Sequence, residues 1–383
     1  MLTKNINFIN FQNKKKSKSI LNSLKLILSG NNEIILSLKK NYKNSYGKKI
    51  LKLFKNKNDY RIVGMGGSIL GANAIYDFLN DKIKKKFYFI NNLQVNHSRL
   101  FKKNYNNLII SKSGNTLETI INFNILVKKN DKNLFITEDK NSYLKKIANE
   151  LKSEVISHNN YIGGRYSVLS EVGMLPAELM GLNIKDFKQL NQIIKNKKFL
   201  DNLVMNVNSI LFFIKQKKFN SIIINYDEKS TNLFNWYQQL VAESLGKKNL
   251  GLLPVVSTMP KDNHSVMQLY LDGFKNNFFT FFYVKEKKSL KTNKNIFKIT
   301  KDLMNKDLDK IIYAQKKATE NVFRRKKIPF RSFEINKRDE KTLGELFTFF
   351  ILETILIGKA LKLNPFDQPA VDLIKKETKK ILI

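Results

Sequence analysis

One stretch narrows the folds open to this chain more than any other. The apolar run Leu108-Ile109-Ile110 leads into Ser111-Lys112-Ser113-Gly114-Asn115-Thr116, and a helical pattern follows at Ile120, Ile121, Phe123, Ile125 and Leu126. This is strand, hydroxyl-rich turn, helix. Such a turn gathers hydroxyls and backbone N–H groups at a helix N-terminus, where the dipole favours an anion. Gly114 permits the tight backbone and Lys112 adds a positive charge. The same residues also suit a plain turn in which Ser and Thr do no more than cap the helix. A second turn of the same kind favours the anion: Arg61-Ile62-Val63, then Gly64-Met65-Gly66-Gly67-Ser68, then a helix through Leu70, Ala72, Ala74, Ile75 and Phe78.

Further strands are predicted at Phe87–Ile90, Leu134–Ile136 and Glu154–Ile156, with a helix around Tyr143–Leu151. Strands alternating with helices at this spacing predict an α/β fold with a doubly wound, mostly parallel sheet. Ligands of such sheets sit at the carboxyl ends of the strands, where both turns would lie. The first turn lacks the full G-x-G-x-x-G fingerprint, which argues against a dinucleotide. A second α/β unit follows a helical segment from Asp186 to Lys217. Its strands are predicted at Ser221–Ile224, Gly251–Ser257, Phe278–Val284 and Phe330–Ile335, and its helices at Asn232–Lys247 and Thr342–Leu361. Residues 1–58 read as helices with no visible chemistry. The expected division is therefore 1–58, 59–184, 185–361 and a terminal helical segment 362–383, which suits a chain of 383 residues.

Composition removes several classes. With no cysteine, disulfides and thiolate chemistry are excluded, and His97, His158 and His264 are too scattered to predict a metal site. The run Leu346–Gly358 is broken by Glu353 and too short to span a bilayer, and the first residues lack an apolar leader pattern. The chain is expected to be cytoplasmic, with no membrane partner. A formal charge of +37 would ordinarily suggest nucleic acid. Yet seven of the 69 basic residues are arginine, so 62 are lysine, and they are spread along the whole chain. Nucleic acid is therefore not the expected partner.

Other residues stand out locally. Asn160-Tyr161-Ile162-Gly163-Gly164-Arg165-Tyr166-Ser167 sets an arginine beside two glycines, which let a backbone pass close to a ligand. A Gly turn with a surface Arg is the plainer alternative. Gln239 and Glu243 lie four apart on one helix and share a face. Val241, Ala242 and Leu245 could withdraw that carboxylate from water, as a general base requires, although most helical carboxylates are simply solvated. His264 follows Pro260-Lys261-Asp262-Asn263 at the start of a helical run. Lys375 lies beyond Phe366-Asp367-Gln368-Pro369-Ala370-Val371-Asp372, and in so lysine-rich a chain carries little meaning alone.

Taken together and in order, these stretches resemble the phosphoglucose isomerase family. Gly64–Gly71 is similar to its G-I-G-G-S-x-L-G turn, Ser111–Thr119 to S-K-S-G-T-T-x-E-T, and Asn160–Ser170 to N-V-G-G-R-[FY]-S-V-L-S. Gln239–Lys247 resembles Q-L-x-x-E-S-x-G-K, Asp262–Gln268 resembles D-x-H-S-x-x-Q, and Phe366–Lys375 resembles F-D-Q-P-G-V-E-x-x-K. The resemblance implies two flavodoxin-like sugar-isomerase domains with helical N-terminal and C-terminal segments, acting without a cofactor or metal. It implies a homodimer in which His264 is offered across the subunit boundary. Ser68, Ser111, Lys112, Ser113 and Thr116 would hold the phosphate of a sugar phosphate, and Gly67 would admit it. Glu243 would move a proton between C2 and C1 through a cis-enediolate, Arg165 would steady its charge, and His264 and Lys375 would help open the ring. Gln239, Gln368 and Gly164 would face the sugar. Glu171, Asn115, Ala370 and Asp372 depart from the family pattern. Competing expectations are a wider isomerase that also accepts mannose 6-phosphate and a sugar-phosphate-sensing regulator, although residues 1–58 show no helix-turn-helix.

Overall fold

Runs such as Leu108-Ile109-Ile110 and Ile222-Ile223-Ile224 are apolar on successive residues, so both faces of their strands must be covered by helices. The computed structural model, which describes residues 1–12, 16–55, 59–94, 104–292 and 304–382, arranges them that way. His97 lies outside the described residues. The strands are β1 (Ile6–Ile9), β2 (Asp59–Gly64), β3 (Lys86–Ile90), β4 (Asn106–Ile110), β5 (Lys132–Thr137) and β6 (Glu154–Ser157). They continue with β7 (Asn220–Asn225), β8 (Leu253–Thr258), β9 (Asn277–Val284) and β10 (Phe330–Ile335).

Two five-stranded sheets result, ordered β3-β2-β4-β5-β6 and β1-β10-β9-β7-β8. The first is parallel throughout. In the second only β1 runs antiparallel, against β10. Each sheet is doubly wound. The chain moves outward from β2 to β3, then crosses back to β4, so the strand order reverses between β2 and β4. The Gly64–Ser68 and Ser111–Thr116 turns leave the carboxyl ends of these two strands, at the point where such sheets bind ligands. Among the described residues no helix is long and apolar enough to cross a membrane.

The helical reading of residues 1–58 missed β1. Ile6–Ile9 is only four residues long and flanked by asparagines, and nothing local distinguishes it from a loop. It forms because the edge of β10 offers unpaired backbone groups, and Phe8 packs against Phe333 there with the rings tilted by 39°. The segment Asp186–Lys217 is likewise broken into Ile184–Phe187, Leu190–Ile193 and Lys197–Lys215.

At the first break stands Lys188, buried, donating to the carbonyls of Ser37 (2.6 Å) and Leu169. It joins the N-terminal helices to the turn that follows Arg165. Burial pulls its pKa from 10.5 down to about 7, against a smaller upward pull from Glu171. Between those values the unfolded chain holds a proton that the folded chain lacks, so folding gains stability as pH rises through the window. Against Lys188→Met, the native chain is therefore expected to gain about 2–4 kcal/mol between pH 7 and 10. Denaturant melts of both proteins at the two pH values measure this; a pH-independent difference would contradict it.

Candidate active site

Short, crowded backbone approaches assemble the site. Gly64 ends β2 opposite Ile110 of β4, and a Cβ built on it would lie 2.9 Å from the Ile110 carbonyl oxygen. The two hydroxyl turns are thereby held side by side. Gly67 packs on Gly164 so tightly that a Cβ would meet its carbonyl carbon at 2.0 Å and the Arg165 nitrogen at 2.3 Å. The Gly66–Ser68 turn and the Gly164–Leu169 turn therefore meet backbone to backbone, with the Ser167 hydroxyl also donating to the Gly67 carbonyl at 3.4 Å, which places Ser68 beside the segment carrying Arg165. Gly66 has φ +52, and a Cβ there would meet the Gln239 amide nitrogen at 2.6 Å.

In the cradle, Ser111 is buried and its hydroxyl bonds the Thr116 hydroxyl at 2.8 Å. Thr116 occupies the N-cap of the helix Leu117–Leu126, yet no side chain caps that helix. Simple capping thus fails as an account of these hydroxyls, and the first-turn N–H groups carry no side-chain acceptor there. Ser113 is exposed and accepts the Asn115 N–H at 3.2 Å. Asn115 in turn bonds the next helix, its Oδ1 accepting the Tyr143 N–H at 2.9 Å. Lys112 donates to the Asn160 carbonyl at 2.8 Å and pairs with Glu138 at 3.4 Å, tying the cradle to the third stretch. Replacing both Ser111 and Thr116 by Ala is expected to raise KM for the sugar phosphate about tenfold or more, with kcat less affected. A fall in melting temperature at unchanged KM would mark the hydroxyls as structural only.

The helix Thr231–Leu245 carries the acid–base face. Buried Leu233, Phe234, Tyr237, Leu240 and Val241 seat it on its neighbours, which leaves Trp236, Gln239, Glu243 and Ser244 facing the glycine turns. Trp236 donates its indole N–H to the Arg165 carbonyl at 3.1 Å. Gln239 donates to Glu243 Oε1 at 2.9 Å, and its own Oε1 is buried without a protein partner, leaving an acceptor for a ligand hydroxyl. Arg165 is 2% exposed and pairs with Glu243 at 3.2 Å, whose side chain remains 30% open to solvent. A cation with little access to water and a reachable carboxylate make up the parts that proton transfer next to a developing oxyanion requires.

The segment after the helix Glu340–Ala360 wraps over this pair. Arg165 donates to the carbonyls of Pro365 (2.8 Å) and Asp367 (3.0 Å) and to Gln368 Oε1 (2.7 Å). Lys247 pairs with Asp367 at 2.7 Å and bonds the Asn364 carbonyl, which clamps the segment down. That contact holds the Asp367 carboxyl below its ordinary range. A cleft of about 930 Å³ opens beside Glu243, walled by Ala242, Gly246, Leu363 and Gln368.

Two further expected site residues are exposed. His264, expected to act across the subunit boundary, ends the turn Lys261–His264 beyond β8. Lys375 lies on the helix Val371–Leu382, which buries no residue, and pairs with Asp372 at 3.0 Å. Among the departures, Glu171 is buried and accepts the Asn159 N–H (2.8 Å) and the Tyr42 hydroxyl (3.2 Å). There it faces the positive end of the helix Glu171–Leu179. Ser244, Tyr166 and Lys247 occupy specified positions of the quoted patterns but carry no expected role there. Trp236 precedes the quoted helix pattern, and its one signal is that it is the chain's single tryptophan.

The sheet switch point thus gathers two hydroxyl–glycine turns, and the segment that carries the arginine of a carboxylate–arginine pair packs on the first of them. The sequence matches the phosphoglucose isomerase family over residues 41–383, and the chain belongs to that family. It is 32% identical over 344 residues to a glucose-6-phosphate isomerase from Methanocaldococcus jannaschii, covering 84% of each chain. In fold it is similar to the crystal structure of a hypothetical protein from Thermus thermophilus. That match has a TM-score of 0.81 at 20% identity, with 95% of this chain and 94% of the other covered. It is also similar in fold to a glucose-6-phosphate isomerase from Chlamydia trachomatis, at a TM-score of 0.74 and 15% identity, covering 99% and 89%.

Proposed function

We propose that this chain interconverts glucose 6-phosphate and fructose 6-phosphate by carrying a proton between C2 and C1. The observation that supports this most directly is the Arg165–Glu243 pair, at 3.2 Å, set against the two glycine turns. Ser68, Ser111, Ser113 and Thr116 receive the phosphate with the backbone N–H groups of their turns, and Lys112 lends positive charge at the rim. Gly67 and Gly164 keep the wall flat enough for the sugar to approach. With the phosphate held, the hexose reaches toward Glu243. Glu243 takes the proton from C2, leaving a cis-enediolate, and returns it to C1. The charge that grows on the sugar oxygens meets Arg165, while Gln239 and Gln368 bond hydroxyls.

Ring opening needs a donor and an acceptor at the ring oxygen and the anomeric hydroxyl. Lys375 supplies one when its helix settles on the cleft, whose wall includes Val371 at the start of that helix. The partner's His264 supplies the other, in a homodimer working in the cytoplasm. The direct experiment is a coupled assay of the purified chain with fructose 6-phosphate, glucose 6-phosphate and mannose 6-phosphate. Turnover of the first two alone is expected. No turnover would defeat the proposal, and equal use of mannose 6-phosphate would widen the substrate class.

A further inference from the structure

Arginine has five N–H donors, and all five of Arg165 are used. Nε donates to Ser244 Oγ at 2.8 Å, Nη2 to the carbonyls of Pro365 and Asp367, and Nη1 to Glu243 Oε2 and Gln368 Oε1. The first three acceptors cannot yield to a substrate, because Ser244 is fully buried and two are main-chain carbonyls. Nη1 alone meets side chains that water reaches: Glu243, 30% open, and the exposed Gln368. The guanidinium is thus fixed on two sides and presents one nitrogen to the site.

The fixing runs through a closed circuit. The Tyr166 hydroxyl lies 2.8 Å from Ser244 Oγ and donates to the Pro365 carbonyl at 3.0 Å. Its single hydrogen therefore points at Pro365, so Ser244 must donate to Tyr166 while accepting from Arg165. The carbonyl of Pro365 also accepts Arg165 Nη2, which closes the circuit. Every member has one direction available to it, and such chains of hydrogen bonds reinforce one another away from water.

Resting on the isomerase reading above, we infer that Ser244 and Tyr166 are positioning residues for the reaction, aiming Arg165 Nη1 at the oxygens that gain charge. Neither touches the substrate; both act through Arg165. The circuit also makes Gln368 and Glu243 the groups that give way as the enediolate forms, because only their bonds to Nη1 can be exchanged. Loosening the circuit lets the guanidinium drift, which harms the charged intermediate while sparing the phosphate grip.

The test compares Ser244→Ala, Tyr166→Phe and the double variant with the native chain. Each single change removes one hydroxyl and adds no bulk. We expect kcat to fall about 10- to 100-fold with KM within about threefold, and the double variant to lose far less than the product of the singles. Binding is read with two probes. Arabinonate 5-phosphate carries a planar carboxylate where the enediolate would form, and glucitol 6-phosphate carries only hydroxyls there. The variants should lose affinity for the first in proportion to kcat and hold the second unchanged. A lower melting temperature with normal kcat, or equal loss of both probes, would overturn the inference. If the native chain itself shows no isomerase turnover, the functional reading fails first, whatever the variants do. The two probes still report whether Arg165 has moved.

Discussion

Glu243→Gln is expected to lower kcat for fructose 6-phosphate by about 10²- to 10⁴-fold, the range for losing a positioned acid–base group. KM should stay within about threefold, since the base meets the sugar through a proton that moves only in the transition state. Gln keeps the shape and one oxygen to accept the Arg165 N–H; its NH2 then faces the Gln239 amide, which must turn over to accept from it. What it loses is the ability to take a proton. It also removes the carboxylate that pairs with a guanidinium only 2% exposed, so a modest loss of stability accompanies the change. That loss is limited because the Glu243 side chain is 30% open to solvent. Kinetics and thermal melts on the same preparation separate the effects. Turnover within about tenfold of native would remove Glu243 from the base's role.

Gly67→Ala should be nearly as damaging, by a different route. The added Cβ would fall 2.0 Å from the Gly164 carbonyl carbon, 2.2 Å from its oxygen and 2.3 Å from the Arg165 nitrogen. All three are backbone atoms and cannot turn aside, so one of the two turns must move. If the first moves, Ser68 leaves the proposed phosphate site; if the second moves, Arg165 leaves its place beside Glu243. A shift near 1 Å at such a site costs about 100-fold in kcat/KM, and the overpacking itself about 1–3 kcal/mol of stability. Gly163→Ala is the matched control, because its Cβ would meet only the Tyr166 ring, at 3.8 Å. That variant should keep near-native kcat/KM. Equal activity in the Gly67 and Gly163 variants would refute the close-approach account.

Much of the scaffold is legible in the amino-acid order alone. The runs at Leu108–Ile110, Ile222–Ile224 and Phe278–Val284 are apolar on consecutive residues, and a strand covered on both faces needs that. Helices such as Leu70–Phe78 and Thr231–Leu245 show themselves by their period. β1 does not, because four residues of an added edge strand are specified by the β10 edge they join. The Ser111 turn shows a limit of another kind. Its composition fits a helix cap as well as an anion cradle; in the structure Thr116 makes no cap bond and meets the Ser111 hydroxyl at 2.8 Å.

By itself the sequence determined the chemistry on offer: two hydroxyl–glycine turns, one arginine beside two glycines, and a carboxylate four residues from a glutamine. Residue type and local spacing suffice for that, since propensity and reactivity are carried within a few residues. Tertiary structure alone decided which groups meet. Arg165, Ser244, Pro365 and Gln368 are separated by up to 203 residues yet bond one guanidinium, and no local pattern encodes that convergence. The same folding left His264 and Lys375 exposed, His264 in the turn after β8 and Lys375 on the last helix. The physical reason is that a burial pattern states how much of an element must be covered, while the partner that covers it is chosen by the packing of the whole chain.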